Sequence, residues 1–292
     1  MSRRPPAAGR RPLGAVVACA IAIGVIAAQD RPARIISLIP AVTEMLFAIG
    51  AGERVVAVSS FDDYPPQVRQ LERVGALLDP DLERILALKP DLVVVYASQS
   101  DLQRQLGRAG VPTYIYKHAG LAGVVTTLRD LGARTGHQEG AARAIQEIER
   151  GMEDVRRRVA GRPKPRTMLV FGREALAIRG VYASGGVGFL HEMLVAAGGE
   201  NLFADVPREA IQATSELILA RAPDVILELR AGEIPQSQLQ DEIDTWRRLA
   251  SLPAVRSNRI IFITDPRTVV PGPRVAQGTE LIARALHPEA FR

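Results

Sequence analysis

ERILALKPDLVVV at residues 83–95 returns as ELILARAPDVILE at residues 216–228, with six of thirteen positions identical: Glu83 and Glu216, Ile85 and Ile218, Leu86 and Leu219, Ala87 and Ala220, Pro90 and Pro223, Asp91 and Asp224. Each copy reads as a short helix stopped before a proline, because the residue ahead of a proline is pushed out of the helical region, and then as an apolar strand. The repeat is wider than this phrase. EMLFAIGAGE (44–53) is echoed by EMLVAAGGE (192–200), and each precedes the glutamate-helix phrase of its half. Two units of like topology in one chain are the economical explanation.

Working outward from the first copy, RIISLI (34–39) reads as a strand, TEMLFAIGAG (43–52) as a helix closed by glycine and RVVAVSS (54–60) as a strand. DLERILALK (81–89), DLVVVYAS (91–98), LQRQLGRAG (102–110) and PTYIY (112–116) continue the alternation of helix and strand. Such alternation predicts a mostly parallel sheet covered on both faces, an N-terminal lobe over 34–120. A second series follows RPKP (162–165): TMLVFG, FLHEMLVAAGG (189–199), the second copy with PDVILEL, DTWRRLASL (244–252) and RIIFIT (259–264), a C-terminal lobe over 165–292. Between them Ile145, Ile148, Met152, Val155 and Val159 step by 3, 4, 3 and 4, the stripe of one amphipathic helix over 137–160. About 22 residues at 1.5 Å each make a strut of roughly 33 Å. The expected fold is therefore α/β: two Rossmann-like lobes with mostly parallel sheets, joined by a single long helix.

The first 28 residues read as an export signal. MSRRPPAAGRRP precedes LGAVVACAIAIGVIAA, sixteen apolar or small residues, which is a signal h-region in length and short for a membrane span. Prolines after each arginine pair favour Sec over Tat export, with cleavage after Ala28. Cys19 in VVAC fits a loose lipobox, but a long apolar run follows it, so a free exported protein is preferred over a lipid-anchored one. Without Cys19 the chain has no cysteine, which excludes a disulfide, a thiolate metal site and a cysteine nucleophile. The net charge of +5 includes Arg3, Arg4, Arg10 and Arg11; removing these four leaves +1, and a nucleic-acid reading loses its footing.

GVYASGGVG (180–188) lacks both the GKS/T ending of a phosphate loop and the GxGxxG spacing, and no nucleophile, base and orienting acid stand in a recognisable motif. An enzyme is not expected. The four histidines, His118, His137, His191 and His287, are scattered, so no fixed metal site is expected; His118, after PTYIY, is the one that could face a cleft. Trp246 reads as a core residue. A ligand site belongs at the carboxyl ends of the strands. The loops arriving there are LIPAV (38–42), SSFDD (59–63), GALLD (75–79), VYASQ (95–99), FGRE (171–174), VYASGG (181–186) and TDPRT (264–268), in which Phe61, Tyr96 and Tyr182 supply aromatic faces. Ordinary core packing is the competing account of these three.

SLIPAVTEMLFAIGAGERVVAVSSFDDYPP, DLERILALKPDLVVV, GGENLF and the second glutamate-helix phrase, in that order, resemble the class III periplasmic binding proteins, which supply ABC importers with cobalamin, siderophores or haem. The resemblance covers 34 to about 286 and is greatest, in SSFDDYPP and LERILALKPDLV, to the cobalamin-binding members. It implies a monomer that captures cobalamin between the lobes and delivers it to a dimeric membrane permease, a ferric siderophore or haem being the alternative ligand. It also implies ligand-facing roles for Ala41, Phe61, Tyr96, Tyr182, Asp265 and Arg267, and permease docking through Glu83 and Glu216. Tryptophans of the cobalamin binders are replaced by Leu77 and, approximately, Ala210, and the loop DPRTVVPGPR that carries Arg267 is about one residue longer. A haem binder would place a tyrosine ahead of the first glutamate helix, and GALLDPD has none. For Glu83 and Glu216 the competing account is a carboxylate in a first helical turn, with Asp79 or Thr214 as N-cap.

Overall fold

The first half of the chain alternates as its apolar pattern demands: β1 (Ile35–Ser37), α1 (Pro40–Ala48), β2 (Val55–Val58), β3 (Glu72–Arg73), α2 (Leu82–Ala87), β4 (Leu92–Tyr96), α3 (Ser100–Arg108), β5 (Thr113–Tyr116) and α4 (Gly120–Thr135). The computed structural model describes Met1 and residues 31–292 other than 231 and 233; the export segment expected over 1–28, Met1 apart, lies outside the described residues. The strands form one sheet in the order β3-β2-β1-β4-β5, every pair parallel. Both faces of β4 are buried. Leu92 and Val94 face a core with Met45 of α1 and Leu128 of α4, whereas Val93 and Val95 face one with Ile85 of α2 and Leu102 and Leu106 of α3. An uninterrupted apolar run is what a doubly covered parallel strand requires. Helix α1 starts three residues before the expected Thr43, because Pro40 occupies its first turn, where no backbone N–H is needed.

The connecting helix α5 (Gln138–Val159) has 22 residues, and its stripe of Ile145, Ile148, Met152, Val155 and Val159 is buried. The second half contains β6 (Arg166–Gly172), β7 (Val181–Ser184), α6 (Phe189–Ala196), β8 (Glu200–Asn201), β9 (Ala210–Ala213), α7 (Ser215–Arg221), β10 (Val225–Leu229), α8 (Gln236–Arg247), α9 (Pro253–Arg256), β11 (Ile260–Ile263) and α10 (Val275–Leu286). Its sheet runs β11-β10-β6-β7-β9, with β8 also beside β6. β8, β10 and β11 are parallel to their partners, but β7 and β9 are antiparallel. The stretch 181–186, expected as a loop, is thus largely the strand β7, whose Val181, Ala183 and Ser184 are buried while Tyr182 points outward. The helix expected over 244–252 begins eight residues earlier, at Gln236 after Pro235, and ends at Arg247; Trp246 on it is fully buried. One core joins the halves: Ile35, Val94 and Leu128 from the first, the stripe of α5, and Leu169, Leu227 and Ile282 from the second. The connecting helix is a packed spine, with α4 and α10 lying against it.

The repeated phrase has a structural cause beyond its proline. After α2, Lys89 (φ 48) leads to Pro90; after α7, Ala222 (φ 46) leads to Pro223. Asp91 then accepts from the backbone N–H of Ala33 (2.8 Å) and Arg34 (2.9 Å), and Asp224 from that of Arg166 (3.1 Å). In return the guanidinium of Arg34 donates to Leu88 O (2.7 Å) and Lys89 O (3.3 Å), and that of Arg166 to Arg221 O (2.9 Å) and Ala222 O (3.3 Å). An arginine opening the first strand of each half therefore satisfies orphan carbonyls at the end of the glutamate helix, and the aspartate ties the strand in place. The N-cap of α2 is Asp81, which accepts from Arg84 N at 3.0 Å, and not Asp79; Thr214 caps α7, accepting from Leu217 N at 3.2 Å.

Candidate functional site

The carboxyl ends of β6 and β10 and the turn into α6 enclose a cavity of about 400 Å³. Phe171, Phe189, Leu190 and Leu229 give it apolar walls, His118 reaches it from the loop after β5 in the first lobe, and Glu209 reaches it from the residue before β9. Ala210 also lines it. An aromatic series leads to it. Tyr96 packs edge-on against Tyr116 with ring centres 6.0 Å apart, the Tyr116 hydroxyl is 3.4 Å from His118 Nδ1, and the His118 ring stands edge-on to Phe189 at 5.1 Å. Burial, then the neighbouring Tyr96, Tyr114 and Glu209, pushes the Tyr116 hydroxyl well above the usual phenol range, so it stays protonated. On the other wall Tyr182 lies tilted against Phe171 at 6.4 Å.

The candidate residues differ in what they offer a ligand. Phe61 is 72% exposed and Tyr182 46%, while Tyr96 is half-buried. Ala41 packs in the core at the start of α1 and presents little surface. Asp265 and Arg267 occupy each other: Arg267 donates Nε to Oδ1 (2.8 Å) and Nη2 to Oδ2 (2.6 Å), and these bonds hold the Asp265 carboxyl below its usual range. They form one locally neutral unit.

Asp62, not singled out from the sequence, fixes the loop that carries Phe61. It is fully buried, and its Oδ2 accepts from Ser59 N (2.9 Å) and Ser59 Oγ (2.5 Å), while Arg73 Nη1 donates to Ser59 O (2.7 Å) and Asp62 O (2.6 Å). Burial pushes the Asp62 carboxyl up, with the Ser59 hydrogen bonds opposing. The histidines other than His118 serve structure. His137 Nδ1 meets Thr135 Oγ1 at 3.0 Å, His191 Nδ1 meets Asn201 Nδ2 at 3.1 Å, and His287 is buried 3.2 Å from Gly198 O. Among the described residues no group of three or more His, Cys, Asp or Glu is placed to hold a metal ion.

Two glutamates of the second repeated phrase reach across between the lobes. Glu44 on α1 accepts from Arg274, the residue opening α10, at 2.8 Å (Nε) and 2.5 Å (Nη2), and Arg274 lies 3.8 Å over the Tyr64 ring. Burial outweighs this ion pair and leaves the Glu44 carboxyl raised. Glu192, the equivalent residue on α6, accepts from the backbone N–H of Leu121 in the first turn of α4 at 2.7 Å. The approach needs Gly120 (φ +59), where a Cβ would stand 2.3 Å from Glu192 Oε1. Since α4 follows β5 as α10 follows β11, each glutamate ties the first helix of its own lobe to the last helix of the other. Glu192→Ala is therefore expected to speed amide exchange at Leu121 by about ten- to a hundredfold, the value of a hydrogen bond to a charged group. An unchanged Leu121 exchange rate would show that the bond is not maintained in solution.

The sequence of residues 35–266 matches the family model described as periplasmic binding protein. The chain belongs to the periplasmic binding protein family. This binding protein is 35% identical to the vitamin B12-binding protein of Salmonella typhimurium over 241 residues, which cover 81% of this chain and 86% of the relative. It is 31% identical to that of Yersinia pestis over 247 residues, 84% and 85% of the two chains. Its structure is similar to that of the Vibrio cholerae periplasmic vitamin B12 binding protein BtuF, with TM-score 0.73, 25% identity and coverage of 90% and 99%. It is equally similar to the apo periplasmic heme-binding protein RhuT of Roseiflexus, with TM-score 0.74, 28% identity and coverage of 88% and 98%. These relatives are binding proteins and not enzymes, as the sequence led one to expect. No helix among the described residues is long and apolar enough to cross a membrane.

Proposed function

We propose that this periplasmic binding protein is exported by its N-terminal segment, captures cobalamin in the cleft between its lobes as a monomer, and delivers it to the permease of an ABC importer. The observation that carries this reading is the 35% identity, over most of both chains, to a vitamin B12-binding protein. The site is compatible with it: a large amphipathic macrocycle would extend beyond the cavity onto Phe61, Tyr96 and Tyr182, aromatic faces suited to a flat apolar surface. Haem is the second reading, favoured by the His118 imidazole and Tyr116 hydroxyl, groups of the types that ligate haem iron. Against it, the loop 75–81 ahead of α2 carries Leu77 and no tyrosine.

Titration with cyanocobalamin, haem and a ferric siderophore tests the reading directly. Cyanocobalamin is expected to bind tightest, and haem binding without cobalamin binding would replace the first reading by the second. Removing one well-packed aromatic contact costs about 1–3 kcal/mol, so Tyr96→Ala and Tyr182→Ala are each expected to weaken cobalamin binding roughly five- to a hundredfold with little change in melting. Normal binding by both variants would leave these rings as packing residues only.

A further inference from the structure

The cavity is apolar apart from two ionisable side chains, and they come from opposite lobes: His118 and Glu209. Of the other acidic groups near the cleft, Asp265 is engaged by Arg267 and Glu44 by Arg274. Glu209 is exposed and forms no ion pair among the described residues. Its place is nevertheless fixed. Its carbonyl accepts from Gly185 N at 3.1 Å, and its side-chain stem lies on Gly188 (φ +89), where a Cβ would come within 3.0 Å of Glu209 Cγ.

An ionised carboxylate only accepts hydrogen bonds. In a mostly apolar cavity it favours a ligand whose rim offers neutral N–H donors, and it repels one whose rim carries carboxylates, since like charges brought together at an interface are strongly disfavoured. Cobalamin is fringed by primary amides, haem by propionates, and ferric siderophore complexes commonly carry net negative charge. We propose that Glu209 determines specificity in this cleft, selecting an amide-fringed tetrapyrrole over a carboxylate-fringed one, with His118 as the polar group on the facing wall. This rests on the cobalamin reading above and names the group that enforces it.

The probe is cyanocobalamin together with its separated monocarboxylic acid isomers, in each of which one rim amide is hydrolysed to a carboxylate. The wild-type protein is expected to bind cyanocobalamin and to bind at least one acid isomer tenfold or more weakly, equivalent to about 1.4 kcal/mol. In Glu209→Gln, which keeps the size and one acceptor oxygen but removes the charge and adds N–H donors, that isomer is expected to bind within about threefold of cyanocobalamin. The wild-type penalty is also expected to shrink in high salt, because Glu209 is exposed. A penalty that persists undiminished in Glu209→Gln, or wild-type protein that binds all isomers equally, overturns the assignment of Glu209 and leaves the cobalamin reading standing. Wild-type protein that fails to bind cyanocobalamin overturns the reading itself.

Discussion

Arg173→Ala is expected to cost the fold about 3–5 kcal/mol, the usual penalty for removing one partner from a buried ion pair. Arg173 donates Nε to Glu228 Oε2 at 2.9 Å and Nη2 to Glu242 Oε2 at 2.5 Å, and all three side chains are essentially without solvent contact. Trp246 Nε1 donates to the same Glu228 oxygen at 2.8 Å, Arg230 Nε donates to Glu228 Oε1 at 2.7 Å, and the Arg173 guanidinium lies 5.2 Å over the Trp246 ring. Two cations thus balance two anions. Without Arg173, two buried carboxylates share Arg230, which is itself partly exposed. A fall in melting temperature on the order of 10 °C is expected from that loss in a chain of this size. Arg173→Met combined with Glu228→Gln and Glu242→Leu is expected to recover much of it, because the one charge left, Arg230, is partly exposed and can turn to solvent. If Arg173→Ala melts within a degree or two of the parent, water reaches the cluster and the argument fails. The cluster also bears on the site, since Glu228 precedes Leu229, a wall of the cavity, on β10.

Four strands of the first sheet were readable because they lie in apolar runs that alternate with helical patterns, and α5 because its stripe is regular; β3, the two polar residues Glu72–Arg73, was not. β7 and β9 were not, for a physical reason. β7 lies between glycines, β9 is mostly exposed, and the pair is an antiparallel addition to an otherwise parallel sheet. The copying that made the repeat visible made the insertion easy to pass over. The buried cluster left one sign: a glutamate in VILEL, a strand whose other residues are all apolar and all buried. Arg173 lies 55 positions from that glutamate, Glu228, and 69 from Glu242, and no local pattern links the three.

Identity between the halves was informative only where the partner lay in the same half. Asp91 and Asp224 each tie down the first strand of their own half, 57 or 58 positions back, where an arginine stands at the same place in both copies. Glu44 and Glu192 were equally visible as identities, yet their partners, Arg274 and Leu121, belong to the opposite lobe and lie 230 and 71 positions away. Glu209 sits in PREA, a stretch polar enough to pass for any surface turn; only the fold of β9 against the α6 turn brings it to the cavity. His118 was singled out because it follows the last strand of its sheet, where chain direction alone points to the cleft.

Glu83→Ala with Glu216→Ala is expected to abolish most uptake while leaving cobalamin affinity and melting nearly unchanged. Both glutamates are exposed, at equivalent positions of α2 and α7. At Glu216 the helix start accounts for part of the conservation of type between the halves: its own backbone N–H, and then Thr214, hold its carboxyl below the usual range. At Glu83 that role is already filled, because Asp81 caps α2 through Arg84 N, and the Glu83 carboxylate has no hydrogen-bond or ion-pair partner among the described residues. A local account therefore explains one copy and leaves the other without a partner. One turn on, Leu219 is 40% exposed and Leu86 half-buried, so each glutamate stands beside an apolar side chain, a pairing suited to a protein surface more than to water. Two like lobes joined by a rigid spine would offer these positions as a pseudo-twofold pair, and a dimeric permease offers a twofold surface with which they could register. We propose that each glutamate meets an arginine of one permease subunit, since bidentate carboxylate–guanidinium pairing fixes orientation as well as affinity. Losing two such contacts, each about 1.5–3 kcal/mol, is expected to weaken docking by on the order of a hundredfold or more, with either single variant intermediate. Uptake into cells carrying the native permease, measured beside binding to the isolated protein, separates delivery from capture. Uptake by the double variant equal to wild type would remove the docking role and leave Glu83 without an explanation.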